Sequence, residues 1–241
     1  MKKSDGKWFL TQFKKTIYHY QMIDHGDTVV VGLSGGQDSG VLLYLLDWFR
    51  RISPVSFNLH AIYIDLGLEA DLSPLHRLAG DLKVPLQVEE TVIAPIVFKR
   101  RKEKNPCSLC ANLRRGALNQ AARKLGTGPV KVALGHHLDD AIETFLLNLI
   151  YTGQMGTFKP SLYLDRTAVT TIRPLIQLPG ETIAALSRRE QLPVLANPCP
   201  VSGQTCRQEM KELVEELSYR YPTFREKFHA ALRNSNLWKS N

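Results

Sequence analysis

The residues best suited to chemistry lie in the turn 34–39, which reads Ser-Gly-Gly-Gln-Asp-Ser. Apolar residues almost fill positions 29–33 before it, as in a strand buried on both faces, and they recur at helical spacing in 41–46. Adjacent glycines let the backbone approach an anion closely, and the N–H groups of a helix N-terminus point toward it. The turn therefore indicates a phosphate site, although Gly-Gly also serves structural turns. It matches neither the Walker loop nor the G-x-G-x-x-G pattern.

A second group of charged residues follows the predicted strand 130–134, where residues 135–140 read Gly-His-His-Leu-Asp-Asp. Glu143 lies on the same helical face as Asp139 and Asp140, because spacings of three and four bring side chains together. Carboxylates at the carboxyl edge of a parallel sheet can bind a nucleotide or a metal ion. Acids in a first helical turn are also ordinary dipole partners. Asp65, at the end of another predicted strand, allows the same two interpretations.

The cysteines suggest a metal centre. Cys107 and Cys110 have the spacing of metal ligands, and Arg114 and Arg115 nearby favour thiolates. A tetrahedral zinc site needs four ligands, and the remaining cysteines are separated by six residues. Three cysteines with an open fourth iron would instead suit an iron–sulfur cluster. Two structural cysteines at a helix end are the third interpretation.

A run of basic residues precedes the cysteine pair. The chain carries a formal net charge of +8, and its pI is about 9.3, which favours a polyanionic partner. Such a run is usually a solvated loop, but its position beside Cys107 makes an RNA contact the competing interpretation. The basic residues are Lys99, Arg100, Arg101, Lys102 and Lys104.

Strands alternate with helices along most of the 241 residues, which predicts an α/β fold: a Rossmann-like parallel sheet with helices on both faces. The predicted strands include 57–65, 84–90 and 170–172, and segment 152–170 is predicted to be a loop. Helices are predicted at 7–23, 71–82, 108–125 and 181–190, with two more in 206–233 separated at Pro222. We expect an N-terminal helix (1–26), a nucleotide-binding domain with an inserted Cys-x-x-Cys segment (27–180), and a helical C-terminal extension (181–241).

The absence of a long apolar run or a signal-type segment predicts a cytoplasmic protein. In that compartment cysteines serve metal or redox chemistry more often than disulfides.

Taken together, the motifs resemble those of the tRNA 2-thiocytidine synthetase family, within the PP-loop ATP pyrophosphatases. The resemblance extends from about residue 10 to about residue 225, and the combination is far more specific than any single motif. The matching segments, in order, are 34–39, 106–110 with 113–116, 133–140, 172–175 and 197–200.

This resemblance implies an adenine nucleotide alpha-hydrolase-like fold and an AMP-forming sulfurtransferase. Such an enzyme adenylates the C2 oxygen of an anticodon-loop cytidine in tRNA and replaces that oxygen with sulfur. The cofactors implied are ATP, Mg²⁺ and a 4Fe–4S cluster held by three cysteines. The implied partners are tRNA, a sulfur donor (sulfide or a cysteine desulfurase system) and a second copy of the chain in a homodimer.

The resemblance also assigns roles to residues. Asp38, Cys107, Cys110 and Cys199 would be catalytic, the cysteines as cluster ligands, and Asp38 and Asp140 would hold magnesium. Lys99, Arg100, Arg101, Lys102, Arg114 and Arg115 would contact RNA. The nucleotide would contact Ser34, Gly35, Gly36, Gln37, Asp38, Ser39, Asp65, Gly135, His136, Asp139 and Asp140.

Two departures from the family pattern stand out. Gln37 occupies a position where lysine is common, which removes one positive charge that would face the phosphates. Cys206 is an additional cysteine, so either Cys199 or Cys206 can complete the cluster.

Two alternative functions also fit parts of the sequence. One is a PP-loop ligase of the lysidine-synthetase type acting on RNA or a small molecule, and the other is a zinc-containing RNA-binding module.

Overall fold

The computed structural model describes residues 7–101, 106–196, 198–201 and 206–238. The basic residues Lys102 and Lys104 and the motif residue Asn197 lie outside this part of the chain. The described strands form one six-stranded sheet in the order β3-β2-β1-β4-β6-β5. The strands are β1 (Thr28–Gly32), β2 (Asn58–Asp65), β3 (Leu86–Glu90), β4 (Val130–Ala133), β5 (Ser161–Leu164) and β6 (Val169–Ile172).

Helices connect the strands and extend the chain at both ends, and a π-helical segment, Pro95–Arg101, precedes α4. The α-helices are α1 (Lys7–His19), α2 (Gln37–Ile52), α3 (Ser73–Asp81), α4 (Pro106–Leu125), α5 (Leu138–Thr152), α6 (Gly180–Arg189), α7 (Cys206–Arg220) and α8 (Phe224–Asn234).

The central strand β1 pairs in parallel with β2 on one side and with β4 on the other. The chain therefore leaves β1 toward one edge of the sheet and later returns to its other side. Ligands bind at such a point, outside the carboxyl ends of the strands. The predicted α/β fold with a parallel sheet is confirmed.

Two local predictions were wrong. Residues 152–170 do not form a continuous loop, because β5 pairs antiparallel with β6. This edge strand is short and mostly accessible to solvent, so it lacks the apolar run that identifies a central strand. Residues 98–101 of the predicted basic loop are helical, at the end of the π-helical segment.

Buried apolar residues cover both faces of the sheet. On one face, α1, α2, α3 and α6 pack against β1 and its neighbours, and the apolar residues of α2 from Val41 to Leu46 are inaccessible to solvent apart from Tyr44. On the other face, Leu118, Ala121 and Ala122 of α4 pack against Val30. This arrangement fixes the ends of β1 and β4 between two layers of helices.

The C-terminal helices form a third apolar cluster with α5. Leu138 and Ile142 of α5 are buried together with Val214 of α7, Leu232 of α8 and Trp238. The C-terminal helices and Trp238 therefore pack directly behind the first turn of α5. In the described part of the chain, no helix combines the length and the apolar character needed to cross a bilayer.

Candidate active site

A cavity of about 440 Å³ opens at the carboxyl ends of β1, β2 and β4. Helices α4, α5 and α7 and the segment around Pro198 complete its wall. The arrangement brings together motifs that are far apart in the sequence. Predicted site residues in the wall are Ser34, Asp38, Ser39, Arg114, Arg115, Gly135, His136, Asp140 and Cys199.

The phosphate turn is held in shape by its own hydrogen bonds. The Ser39 hydroxyl donates to the Gly36 carbonyl at 2.9 Å and accepts from the Ser34 backbone N–H at 3.1 Å. Gly36 is the N-cap of α2 and provides no side-chain bond to the first helical N–H groups. Those N–H groups are thus available to an anion.

Two glycines allow other segments to approach this turn. Gly35 has φ +82°, and a Cβ atom there would lie 2.8 Å from the Leu195 side chain. A Cβ atom on Gly135 would lie 3.0 Å from the Ser39 backbone nitrogen. The glycine of the Gly-His motif is therefore needed for contact between the end of β4 and the phosphate turn.

Asp38 and Asp140 form the acidic part of the cavity. The Asp38 side chain is 41% exposed, and its Oδ2 atom lies 3.9 Å from Nε2 of His137. Burial raises the pKa of Asp38, and the neighbouring carboxylate of Asp140 raises it further, whereas His137 lowers it. A divalent cation would relieve this repulsion.

The donor set fits Mg²⁺. Among the described residues there is no group of three or more His, Cys, Asp or Glu side chains arranged to hold a metal ion. Mg²⁺ commonly uses only one or two carboxylates and takes its other ligands from water and phosphates. Asp38 and Asp140 supply that number.

Sequence reasoning underestimated His137, which lies among three carboxylates. Its Nδ1 atom is 3.7 Å from Oδ2 of Asp139 and 3.6 Å from Oδ2 of Asp140. This nitrogen is buried and has no hydrogen-bond partner. The sequence places two adjacent histidines in this motif, but it does not show which of the two rings faces the aspartates.

His136 has a different environment. It stacks on Phe158 with the ring centroids 4.6 Å apart, and its Nδ1 accepts a hydrogen bond from Nε of Arg173 at 3.1 Å. Burial and the positive charge of Arg173 hold the pKa of His136 well below its ordinary value. The ring is therefore neutral at pH 7, with its proton on Nε2. Arg173, which the sequence placed in the Arg-Pro-Leu motif, orients it.

Asp139 does not lie in the cavity wall. Its carboxylate accepts a hydrogen bond from the Gly180 N–H at 2.6 Å and another from Arg225 of α8. Burial alone would raise the pKa of Asp139, but the two hydrogen bonds outweigh it and hold the pKa below its ordinary value. Asp139 thus joins α5 to α6 and α8.

Four more predicted nucleotide contacts are not part of the main cavity wall: Gly35, Gly36, Gln37 and Asp65. Asp65 lies in a separate depression of about 320 Å³ and accepts a hydrogen bond from the Gly67 N–H at 2.8 Å. Gln37 is at the first position of α2, beyond Gly36, and its amide donates to Oδ1 of Asp38 at 3.5 Å.

The cysteines divide into a group of three and a single one. Burial raises the pKa of Cys110, and the nearby thiols of Cys199 and Cys107 raise it further, while Arg114 lowers it. Cys206 is exposed at the start of α7, where it interacts with Tyr151 instead. Neighbouring thiols with positive charge beside them have the chemistry that an iron–sulfur cluster needs. Among the residues that the structure describes, the three thiols are not prearranged as a set of metal ligands.

The predicted RNA contacts occupy two positions. Arg114 and Arg115 lie in the cavity wall, on the first half of α4. Lys99, Arg100 and Arg101 are exposed at the end of the π-helical segment, just before the cysteine pair in the chain. Positive charge therefore lies both in the cavity wall and on the exposed end of the π-helical segment.

Sequence reasoning missed Arg207 completely. This residue of α7 lies in the cavity wall, and its Nε atom is 4.0 Å from the buried Glu143. Burial and the Asp140 carboxylate raise the pKa of Glu143 to about 7. No local pattern marks Arg207, because only tertiary packing brings α7 against α5.

Comparison with known proteins identifies the family. A family model described as a PP-loop domain matches residues 9–213. The chain belongs to the PP-loop family. The tRNA-cytidine(32) 2-sulfurtransferase of Pelobacter propionicus is 40% identical to this PP-loop protein over 224 residues, covering 91% of this chain and 82% of that protein. The protein of the same name from Citrifermentans bemidjiense is 38% identical over 226 residues, covering 91% and 87%. The predicted family is thereby confirmed.

Solved structures confirm the PP-loop fold. The U34-tRNA thiolase NcsA from Methanococcus maripaludis, solved with its 4Fe-4S cluster, has a TM-score of 0.75 at 23% identity and covers 93% of this chain and 77% of its own. An NH3-dependent NAD synthetase from Campylobacter jejuni has a TM-score of 0.50 at 18% identity and covers 93% and 88%. At these identities the likeness concerns the fold.

Proposed function

We propose that this PP-loop protein is an ATP-dependent tRNA-cytidine 2-sulfurtransferase. It adenylates the C2 oxygen of an anticodon-loop cytidine and replaces that oxygen with sulfur. The observation that carries the proposal is one cavity whose wall contains both the phosphate turn and Cys199. The activity named for the relatives supports the same reaction.

The first half of the reaction uses the phosphate turn. The cytidine C2 oxygen attacks the α-phosphorus of ATP, and the bond from that phosphorus to the bridging oxygen breaks, so that pyrophosphate leaves. The free N–H groups at the start of α2 stabilise the charge on the departing group. Mg²⁺ held by Asp38 and Asp140 would neutralise the phosphate charge and orient the leaving group.

The second half takes place beside the cysteines. A sulfur nucleophile forms a bond to C2, and the bond from C2 to oxygen breaks, so that the oxygen leaves with AMP. AMP is a far better leaving group than hydroxide, which is the chemical reason for adenylation. A 4Fe–4S cluster bound by Cys107, Cys110 and Cys199 would supply an open iron site for sulfur.

Two histidines support the reaction without exchanging protons in any step we assign. His137 lies between Asp38 and Asp140, with its ring nitrogens 3.9 Å and 3.6 Å from their carboxylate oxygens. His136 is held neutral by burial and by Arg173, so it offers an N–H donor and adds no positive charge.

Positive charge at the cavity mouth favours RNA. Arg114 and Arg115 in the wall and the exposed residues Lys99, Arg100 and Arg101 can contact phosphates, which sets affinity and orientation. A cytidine must leave its stack to reach the cavity, and this is easiest in a single-stranded loop. We further infer a cytoplasmic homodimer that receives sulfur from sulfide or a cysteine desulfurase system, as the family resemblance implies.

Metal analysis of two matched cysteine variants tests the cluster. Anaerobically reconstituted parent protein should contain about four irons per chain and absorb broadly in the visible range. Cys199→Ser should lose both signals, whereas Cys206→Ser should keep them, because the Cys199 thiol lies near Cys110 while Cys206 interacts with Tyr151. The reverse result would transfer the ligand role to Cys206. Stoichiometric zinc without visible absorption would contradict the thiolase proposal.

Product analysis tests the reaction itself. The parent with tRNA, ATP and sulfide should release AMP and pyrophosphate and should yield 2-thiocytidine on nucleoside analysis. ADP and phosphate would be incompatible with this turn.

Replacement of Arg100, Arg101 and Lys102 by alanine should weaken binding of every tRNA species and reduce its salt dependence. Unchanged tRNA affinity at physiological salt would show that the basic run is only a solvated surface.

A further inference from the structure

Asn119 is a buried polar residue that the reaction described above does not use. It lies on α4, is 4% exposed and forms part of the cavity wall. Its neighbour Leu118 packs so closely on β1 that a Cβ atom on Gly32 would lie 2.8 Å from Leu118 Cδ2. Gly32 ends β1, two positions before the phosphate turn begins at Ser34. Asn119 therefore lies deep in the cavity, close to the start of the turn.

The Asn119 carboxamide has an unmet hydrogen-bonding need. Its Oδ1 atom is buried and has no hydrogen-bond partner. Buried polar atoms in proteins are nearly always paired, so an unpaired acceptor in a cavity wall indicates that a ligand supplies the donor. The surrounding wall is apolar and includes Ile62, Ile64, Val132 and Leu134. An apolar pocket with one oriented amide is the typical environment of an aromatic base.

We propose that Asn119 recognises the adenine base of ATP. Oδ1 accepts a hydrogen bond from the exocyclic amine of adenine, and the amide NH₂ donates to the adjacent ring nitrogen, which is the pairing that asparagine makes with adenine elsewhere. This inference rests on the proposed function, because it assigns the base subsite of the same ATP. Asn119 is then a specificity residue that touches the nucleotide away from the reacting atoms.

Adenine fits this position better than the target cytosine, although cytosine also carries an exocyclic amine. The tRNA base must enter from the side where Arg114, Arg115 and Arg207 lie around the cavity. Asn119 is one turn further along α4 than Arg115 and is buried, whereas both arginines are exposed. ATP that binds before the RNA can place its adenine at the buried Asn119 more easily than a tRNA base that enters past the arginines.

Equilibrium binding with two nucleotides tests the assignment without any turnover. Binding of ATP and of purine riboside 5′-triphosphate, which lacks only the exocyclic amine, is measured by calorimetry with Mg²⁺ and without RNA. The parent should bind ATP about tenfold more tightly, as expected for one oriented hydrogen bond in a desolvated site. Asn119→Leu should bind ATP about tenfold more weakly than the parent and should no longer distinguish the two ligands.

Matched controls separate the possible outcomes. Gln120→Leu changes an exposed amide on the same helix and should keep the parent's preference. Asn119→Ala replaces the leucine variant if that variant fails to fold. Equal binding of both triphosphates by the parent would overturn the adenine assignment. The assignment would also fail if Asn119→Leu weakened binding of ATP and of purine riboside 5′-triphosphate by the same factor, because the amide would then contact the ribose.

Two further results would separate a failure of the adenine assignment from a failure of the proposed function. If Asn119→Leu leaves ATP binding unchanged but weakens binding of an anticodon stem-loop, the amide reads the target cytosine and the assignment is wrong. If the parent binds no ATP at all, the proposed function itself fails.

Discussion

The two strand–helix junctions that form the cavity look alike in sequence. They differ in which carboxylates and N–H groups remain available to a ligand. At the junction of β1 and α2, the N-cap Gly36 makes no side-chain bond and the Asp38 side chain is 41% exposed. At the junction of β4 and α5, the Asp140 carboxylate accepts the His137 backbone N–H at 2.9 Å, and Asp139 is bonded to α6 and α8. An acid in the first turn can therefore serve a ligand or hold the fold together.

The sharpest way to test this difference is Asp38→Asn. We expect pyrophosphate release to fall by at least about a hundredfold, because the substitution removes a carboxylate that we propose holds Mg²⁺ beside ATP. The free energy of unfolding, measured by urea titration, should stay within about 0.5 kcal/mol of the parent value, since the side chain is partly exposed. A folded variant with parental turnover would show that the first junction binds no metal.

Asp139→Asn should show the opposite pattern. We expect the free energy of unfolding to fall by about 1–3 kcal/mol, because the bond to the charged Arg225 is lost in a mostly buried position. Turnover per folded molecule should change only a few-fold. Arg225→Met is the matched variant and should cause a similar loss of stability. A large loss of turnover with unchanged stability would mean that Asp139 contacts ATP or Mg²⁺ after all.

The pH dependence of stability extends the comparison to α8, where His229 packs against Trp238. Burial lowers the pKa of His229, and the charge of Arg233 lowers it further. The unfolded chain then binds more protons, so stability should fall as the pH drops through about 6.5. His136 and His60 also have lowered pKa values and contribute in the same direction. His229→Gln should flatten the profile measured by thermal unfolding between pH 7.5 and 5.5, and an unchanged slope would contradict this account.

The smallest effect should come from Gln37→Lys. The charge of Lys211 on α7 already lowers the pKa of Asp38, so positive charge reaches the turn from another helix. An added lysine should tighten ATP binding by no more than about threefold, measured by calorimetry. A loss of tenfold or more would show that the Gln37 amide has a specific role at Asp38.

The sequence was sufficient for the parts of the molecule that depend on local patterns. Continuous apolar runs identified the central strands, and parallel topology implied that the phosphate turn and residues 135–140 meet at one edge of the sheet. The structure places them in contact at Gly135. Strand β5 escaped prediction because an exposed edge strand carries no such run.

The rest of the site depends on contacts between distant residues. The bond from Arg225 to Asp139 spans 86 positions, and nothing near either residue encodes it. Arg207 and Lys211 approach the site only because α7 packs against α5. The assignment of Cys199 as the neighbour of Cys110 likewise required the folded chain.

The contribution of α7 and α8 has a consequence for synthesis of the protein on the ribosome. The phosphate turn is translated before α7 and α8, which carry Arg207 and the Arg225 side chain that bonds to Asp139. Until then, the apolar side of α5 with Leu138 and Ile142 lacks its cover. A nascent chain of this protein therefore exposes an apolar surface on α5 until α7 and α8 have been made, and it can complete its nucleotide cavity only after that point.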